Sequence, residues 1–263
     1  MDLGLKDRVA LVAASSRGLG RAAAEALAAE GARLALCARN EKVLAATAES
    51  IRQRFGVPVL DRALDVTDRD AVKKFVDATI ERFGRVDIGI ANAGGPPSKA
   101  FADTAIEDWE QAFALNFMST LYLVRELLPH MQKQKWGRII TITSITVKQP
   151  TEGLILSNAI RAAVAGLVKS LANEYAADNI LINNVCPGFT ATDRLHEVAT
   201  AQAAAQGVTR EEIVSRWSRN IPLGRLGRPE EFASVVAFLC SEKASYVTGA
   251  SIAIDGGVVK GIL

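Results

Sequence analysis

Cysteine is too scarce in this chain to hold a fold together. Cys37, Cys186 and Cys240 lie far apart, each in an apolar stretch. They lack metal-ligand spacing and read as small buried hydrophobes. The two histidines, His130 and His196, have no neighbours in sequence that would complete a metal cluster. Charge of one sign is also missing. The 31 Lys and Arg residues nearly balance the 29 Asp and Glu, leaving +2, which offers no electrostatic grip on nucleic acid or an acidic membrane. Residues 1–6 have no signal-peptide pattern, and no apolar run reads as a membrane span, so a cytoplasmic location is expected. Internal repeats, low-complexity segments and linkers are absent. Tyrosine is rare as well, at positions 122, 175 and 246 only.

What is present is an ordinary globular composition, 49% hydrophobic and 23% charged over 263 residues. Short apolar runs alternate with amphipathic stretches. Strands are expected at Val9–Ala13, Arg33–Cys37, Pro58–Leu64, Val86–Ile90, Ile139–Thr143, Ile180–Val185 and Ser251–Ile254. Helices are expected at Gly18–Glu30, Glu41–Phe55, Asp68–Phe83, Glu107–Gln134 (interrupted near Pro129), Ser157–Ala177 and Glu230–Cys240. Strict alternation with almost continuously apolar strands predicts an α/β fold: a single Rossmann-like, doubly wound parallel sheet of about seven strands, with helices on both faces. One domain, 1–263, is expected. The polar, Ala-rich insertion 190–221 leaves the carboxyl end of the sixth strand, where ligands bind in open α/β sheets. It is expected to be a substrate lid; the alternative is an ordinary helical excursion.

The turn after the first strand, Ala13-Ala14-Ser15-Ser16-Arg17-Gly18-Leu19-Gly20, joins strand to helix. Glycines there let backbone approach a pyrophosphate, and the helix N-terminus offers free N–H groups and a positive dipole end. NAD sites of this kind usually close the second strand with an acid that holds the ribose 2′-hydroxyl. Here the strand runs into Arg39 and Asn40 with no acid, and Arg17 lies in the glycine turn. Two guanidinium groups suit a 2′-phosphate, so NADP(H) is expected rather than NAD. The alternative for each Arg is a solvated surface charge. Asp65-Val66 is placed to hold an adenine, and Asn92-Ala93-Gly94 to let backbone pass close to the adenosine ribose.

Together these motifs resemble the short-chain dehydrogenase/reductase family over nearly the whole chain, particularly its reductases of 3-oxoacyl thioesters. The glycine motif Thr-Gly-x-x-x-Gly-x-Gly stands here as residues 13–20, with Ser15, Ser16, Arg17, Gly18, Leu19 and Gly20 as the implied cofactor contacts. Asn-Asn-Ala-Gly stands as 91–94, and the terminal Asp255-Gly256-Gly257 also fits. The resemblance makes Asn116 and Ser144 active-site residues. It makes Pro187, Gly188, Thr190 and Thr192 the group that meets the nicotinamide. It implies a small-molecule carbonyl substrate and a homo-oligomer, tetramer or dimer. Helices 107–134 and 157–177 are candidate packing surfaces, since small residues permit close approach; the alternative is that their apolar faces are buried against the sheet.

Two departures stand out. Ala14 replaces a glycine, which requires a negative φ there. The family's Tyr-x-x-x-Lys is Ser157-Asn158-Ala159-Ile160-Arg161, in a register fixed by Ser144 before it and Ala162-Ala163 after it. In the family the tyrosine gives a proton to the substrate oxygen, and the lysine lowers the phenol's pKa and holds the nicotinamide ribose. Arg161 is expected to keep the ribose role but cannot shuttle protons. Ser157 is shorter and far less acidic, so it would act with a water. The alternative for Ser157 is a helix N-cap, and for Arg161 a salt bridge with Glu174. Lys99, Lys148, Glu152 and His196 are substitute proton donors to weigh. The implied function is NADPH-dependent carbonyl reduction with an atypical proton relay; the alternative is an NADP-binding sensor or scaffold of the same fold.

Overall fold

The computed structural model describes residues 2–262, apart from the side chains of 201 and 205. Seven parallel strands form one sheet in the order β3-β2-β1-β4-β5-β6-β7. The strands are β1 Val9–Val12, β2 Arg33–Ala38, β3 Val59–Ala63, β4 Ile88–Ala91, β5 Gly137–Ile142, β6 Ile180–Pro187 and β7 Ser251–Ile254. The helices are α1 Gly18–Ala29, α2 Glu41–Phe55, α3 Arg69–Phe83, α4 Ile106–Phe113, α5 Ser119–Gln134, α6 Ile155–Tyr175, α7 Asp193–Gln206, α8 Arg210–Asn220 and α9 Pro229–Cys240. Strand β1 pairs with both β2 and β4, so the winding direction reverses there and a crevice opens beyond the strand ends.

Alternation along each strand splits the core in two. Ala10, Val12, Leu34, Leu36, Ile88, Ile90 and Ile140 pack against Leu27 of α1, Leu44 of α2 and Phe232 of α9. Leu11, Ala35, Ile139 and Ile182 face the other way, against Phe75 of α3, Leu127 of α5 and Val164 of α6. All four β1 residues are buried. Apolar side chains on both strand faces explain why the strands read as unbroken hydrophobic runs.

Three expectations need correction. Pro129 does not interrupt its helix. It lies on the solvent side of α5 together with Arg125, whose carbonyl, deprived of an N–H four residues on, faces water rather than core. Leu127, Leu128 and Met131 hold the helix to the sheet. The irregularity falls earlier, as one π-turn at Ala114–Met118 between α4 and α5. Second, Ser157 is not a helix N-cap: α6 begins at Ile155, with Leu154 in the capping position. Third, Ile155–Asp178 is long and apolar enough to cross a membrane by length and composition, contrary to the sequence reading. In the fold it lies along the sheet, with Leu156, Val164, Val168 and Ala172 buried.

Candidate active site

The turn after β1 is anchored from both sides. Ser15 donates its N–H and its hydroxyl to the Cys37 carbonyl, at 3.0 and 3.3 Å. Thr47 of α2 donates to the Ser16 carbonyl at 2.9 Å. Asn92 donates through Nδ2 to the Ala14 carbonyl at 3.2 Å. Ser15 is therefore fully buried and fastens the turn to β2 rather than facing a ligand. Ala14 sits at φ +47°, the left-handed region, against the expectation of a negative φ; these anchors hold it there at a cost of about 1–2 kcal/mol. A Cβ on Gly20 would stand 2.4 Å from the Ala14 carbonyl oxygen and 2.7 Å from Asn92 Nδ2. Gly20 thus serves the packing of α1 against the turn. Gly18 has φ +56° and lies beside Thr192.

The first turn of α1 contains no acid, and Arg17 at its N-cap makes no side-chain capping bond. An uncapped, acid-free helix N-terminus suits a phosphate. Arg17 and Arg39 are exposed and make no ion pair among the described residues. Asn40 caps α2, accepting from the Val43 N–H at 3.1 Å. Asp65 is already bonded to the N–H and hydroxyl of Thr67, at 2.9 and 2.8 Å, through one carboxylate oxygen. Val66 lines a small void beside Ala13, Cys37 and Asn92.

One cleft of about 950 Å³ runs from this turn along the ends of β4, β5 and β6. Arg17, Gly18, Leu19, Asn92, Ala93, Gly94, Ser144, Ser157, Arg161, Pro187, Gly188, Thr190 and Thr192 line it. Ser15, Ser16, Gly20, Arg39, Asn40, Asp65, Val66 and Asn116 do not. Asn116 lies one layer behind. The π-turn directs its Nδ2 to the Gly94 carbonyl at 2.8 Å and leaves Oδ1 buried without a partner. A buried acceptor left open in this way is suited to a water.

Arg161 is 7% exposed, and its Nη1 donates to the carbonyls of Ile142 and Thr143 at the end of β5, at 3.1 and 2.7 Å. It makes no salt bridge with Glu174, nor with any acid among the described residues. Burial therefore pushes its pKa down to about 10. Ser144 accepts from the Thr146 N–H at 3.2 Å. Ser157 is 8% exposed, and its hydroxyl lies 3.2 Å from that of Thr146. Of the substitute proton donors, Lys99 and Glu152 line the cleft and Lys148 and His196 do not. Lys99 is paired with Asp108 at 2.7 Å. None of the three tyrosines lines it.

Helices α7 and α8 form one wall. Thr192 caps α7, and Phe189, just past Pro187-Gly188, stacks on Trp217 of α8 at 5.3 Å between ring centroids. Sequence reasoning missed Thr146, Phe189 and Trp217. Thr146 lies two residues from Ser144, and that spacing was its only signal.

Comparison with known proteins agrees with this geometry. The profile of a family described as enoyl-(acyl carrier protein) reductase matches residues 13–259. The chain is 36% identical to a 3-oxoacyl-[acyl-carrier-protein] reductase of Aquifex aeolicus over 258 residues, 98% of this chain and 100% of the other. It is 34% identical to the protein of that name from Escherichia coli, over 97% of this chain and 99% of the other. The crystal structure of L-sorbose reductase from Gluconobacter frateurii, complexed with NADPH and L-sorbose, superposes with a TM-score of 0.95 at 34% identity, covering 100% of both chains. The chain belongs to the short-chain dehydrogenase/reductase family of oxidoreductases.

Proposed function

We propose that this protein is an NADPH-dependent reductase that converts the carbonyl of a ketone or 3-oxoacyl thioester to an alcohol. The observation that carries the reading is the unbroken cleft that joins the acid-free N-terminus of α1 to Ser144, Ser157 and Arg161. Bound NADPH supplies the hydride. Gly18, Leu19 and the N-terminus of α1 hold the pyrophosphate, Arg17 and Arg39 the 2′-phosphate, and Asp65 the adenine amine through its open carboxylate oxygen. Pro187, Gly188, Thr190 and Thr192 border the nicotinamide.

Ser144 accepts one bond from the Thr146 N–H and donates to no protein group among the described residues, so its hydroxyl proton is left for the substrate oxygen. Arg161 keeps a positive charge beside the reacting atoms and is held by two backbone carbonyls. It donates hydrogen bonds but releases no proton. Asn116 Oδ1 anchors a water, and water is the proton source that replaces the phenol. The segment 190–221 acts as a lid, with the Phe189–Trp217 stack as its apolar inner face. The subunits assemble through α6, whose outer face is small: Ala159, Ala162, Ala163 and Gly166 are exposed.

A second reading is favoured by one observation. The Ser157 hydroxyl and the Arg161 Nη1 are both engaged by the protein itself, as in a site that binds NADP without turning over. NADPH oxidation by the purified protein, against 3-oxoacyl thioesters, ketones, aldehydes and quinones, tests the two. Turnover above the uncatalysed rate supports the reductase. Saturable NADPH binding without turnover on any of them overturns it in favour of a sensor or scaffold.

A further inference from the structure

We propose that Thr146 is a positioning residue that aims both serine hydroxyls at the substrate oxygen, so that Thr146 and Ser157 act as one unit. This rests on the reductase reading. Thr146 lies in a tight turn, Ile145–Val147, closed by bonds from the Val147 N–H to the Ser144 carbonyl at 3.1 Å and from the Lys148 N–H to the Ile145 carbonyl at 2.8 Å. It is 3% exposed, and its β-branched side chain is stiff at χ1. Its backbone N–H donates to the Ser144 hydroxyl oxygen at 3.2 Å, fixing that oxygen and leaving the serine proton to point elsewhere. Its hydroxyl lies 3.2 Å from that of Ser157. Both threonine and serine line the cleft.

Two hydroxyls carry two protons, and their mutual bond uses one. At 3.2 Å either hydroxyl can donate; Thr146, whose Oγ position is fixed, is taken as the donor. Ser157 then accepts and turns its own proton outward. Without Thr146, a serine inside a helix donates back to a carbonyl one turn earlier, here that of Gly153 or Leu154. Ser144 and Ser157 thus present two donors to one oxygen. NADPH, when bound, would supply a hydride to the carbonyl carbon, and the π pair of the C=O bond would move to oxygen. That oxygen takes hydrogen bonds from both serines and then a proton from water, which leaves as hydroxide. Neither serine loses its proton in the net step.

The test is a double-mutant cycle on the full chain with a substrate that turns over: Thr146→Val, Ser157→Ala and the pair, with Thr146→Ser as the conservative variant. Each single change is expected to lower kcat roughly 10-fold or more. The pair is expected to fall no further than either single change, because groups that act as a unit are not additive. Thr146→Ser should restore most of kcat. NADPH affinity, read by fluorescence titration, should stay unchanged throughout. If Thr146→Val does not fold, Thr146→Ala carries the same expectation. Unchanged kcat in Thr146→Val, or losses that multiply in the pair, overturns this inference and leaves the reductase reading standing. A natural chain that turns over no substrate overturns both.

Discussion

Arg161 Nη1 reaches the Thr143 carbonyl at 2.7 Å and the Ile142 carbonyl at 3.1 Å, tying α6 to the end of β5 from inside the cleft. Both bonds leave one nitrogen, and a lysine ammonium, although it carries three donors, ends one bond nearer its own Cα. Arg161→Lys is therefore expected to leave one carbonyl without its partner and to lower stability by about 1–3 kcal/mol. Urea unfolding checks this, and an unchanged midpoint would show that the two bonds contribute nothing net.

Ser157 and Arg161 stand where the family resemblance has tyrosine and lysine. Alcohol oxidation needs a base, and an unassisted serine is a poor one. The double change Ser157→Tyr with Arg161→Lys installs a phenol next to an ammonium. It is expected to raise kcat/KM for ketone reduction and for oxidation of the product alcohol by the same factor, about 10²-fold or more, because the overall equilibrium does not depend on the catalyst. Rates measured in both directions at one pH test it. No gain in either direction would mean that proton supply does not limit the natural chain.

The sheet was legible because its strands are apolar on both faces and its helices carry one apolar stripe, so periodicity alone separated them. Every expected strand formed, with ends within a few residues, and α2 runs Glu41–Phe55 as expected. The π-turn was not legible, since Ala114–Met118 has the composition of an ordinary helix; what decides it is the reach of Asn116 to Gly94 across the sheet end. Pro129 misled for the converse reason: its cost depends on which side of the helix its missing bond faces. In the site, the sequence register placed Ser144, Ser157 and Arg161 on one cleft. It could not show that Ser15 is spent on Cys37, or that Ser157 meets Thr146, because those contacts join residues through three-dimensional packing.

Arg39 follows β2 directly and is exposed, with no ion pair among the described residues. If it meets a 2′-phosphate, reversing its charge should repel that phosphate and let a carboxylate accept from a ribose 2′-hydroxyl instead. Arg39→Asp is expected to shift the ratio of kcat/KM for NADPH over NADH toward NADH by about tenfold or more. A ratio that stays fixed would make Arg39 a solvated surface charge.

Glu231, in the first turn of α9, accepts from Arg225 Nη1 and Nη2 at 2.8 and 2.7 Å and from the Arg228 N–H at 2.8 Å. The Arg225 guanidinium first, and the Arg228 N–H next, pull its pKa down from the ordinary 4.5 to about 2. The proton binds more tightly in the unfolded chain, so the pair stabilises the fold above about pH 4.5 and that contribution is lost as pH falls toward about 2. Glu231→Gln should reduce the slope of stability against pH across that window, and added salt should weaken the native effect because the pair is exposed. Urea midpoints over the window decide it; identical slopes would assign the acid sensitivity to other carboxylates.

Ala14 holds φ +47° at the place where the family motif has glycine. Its carbonyl is fixed by Asn92, and the next residue, Ser15, is fixed by the Cys37 carbonyl, so the chain cannot relax into the right-handed region without breaking both. Glycine removes the left-handed penalty of about 1–2 kcal/mol but loosens the unfolded chain by about 0.4–1 kcal/mol. The difference favours glycine, and Ala14→Gly is expected to raise stability by up to about 1.5 kcal/mol. A higher urea midpoint with an unchanged slope is the confirming result. A lower midpoint would mean that the methyl group, which lines the cleft beside Gly18, contributes more through packing than it costs in backbone strain.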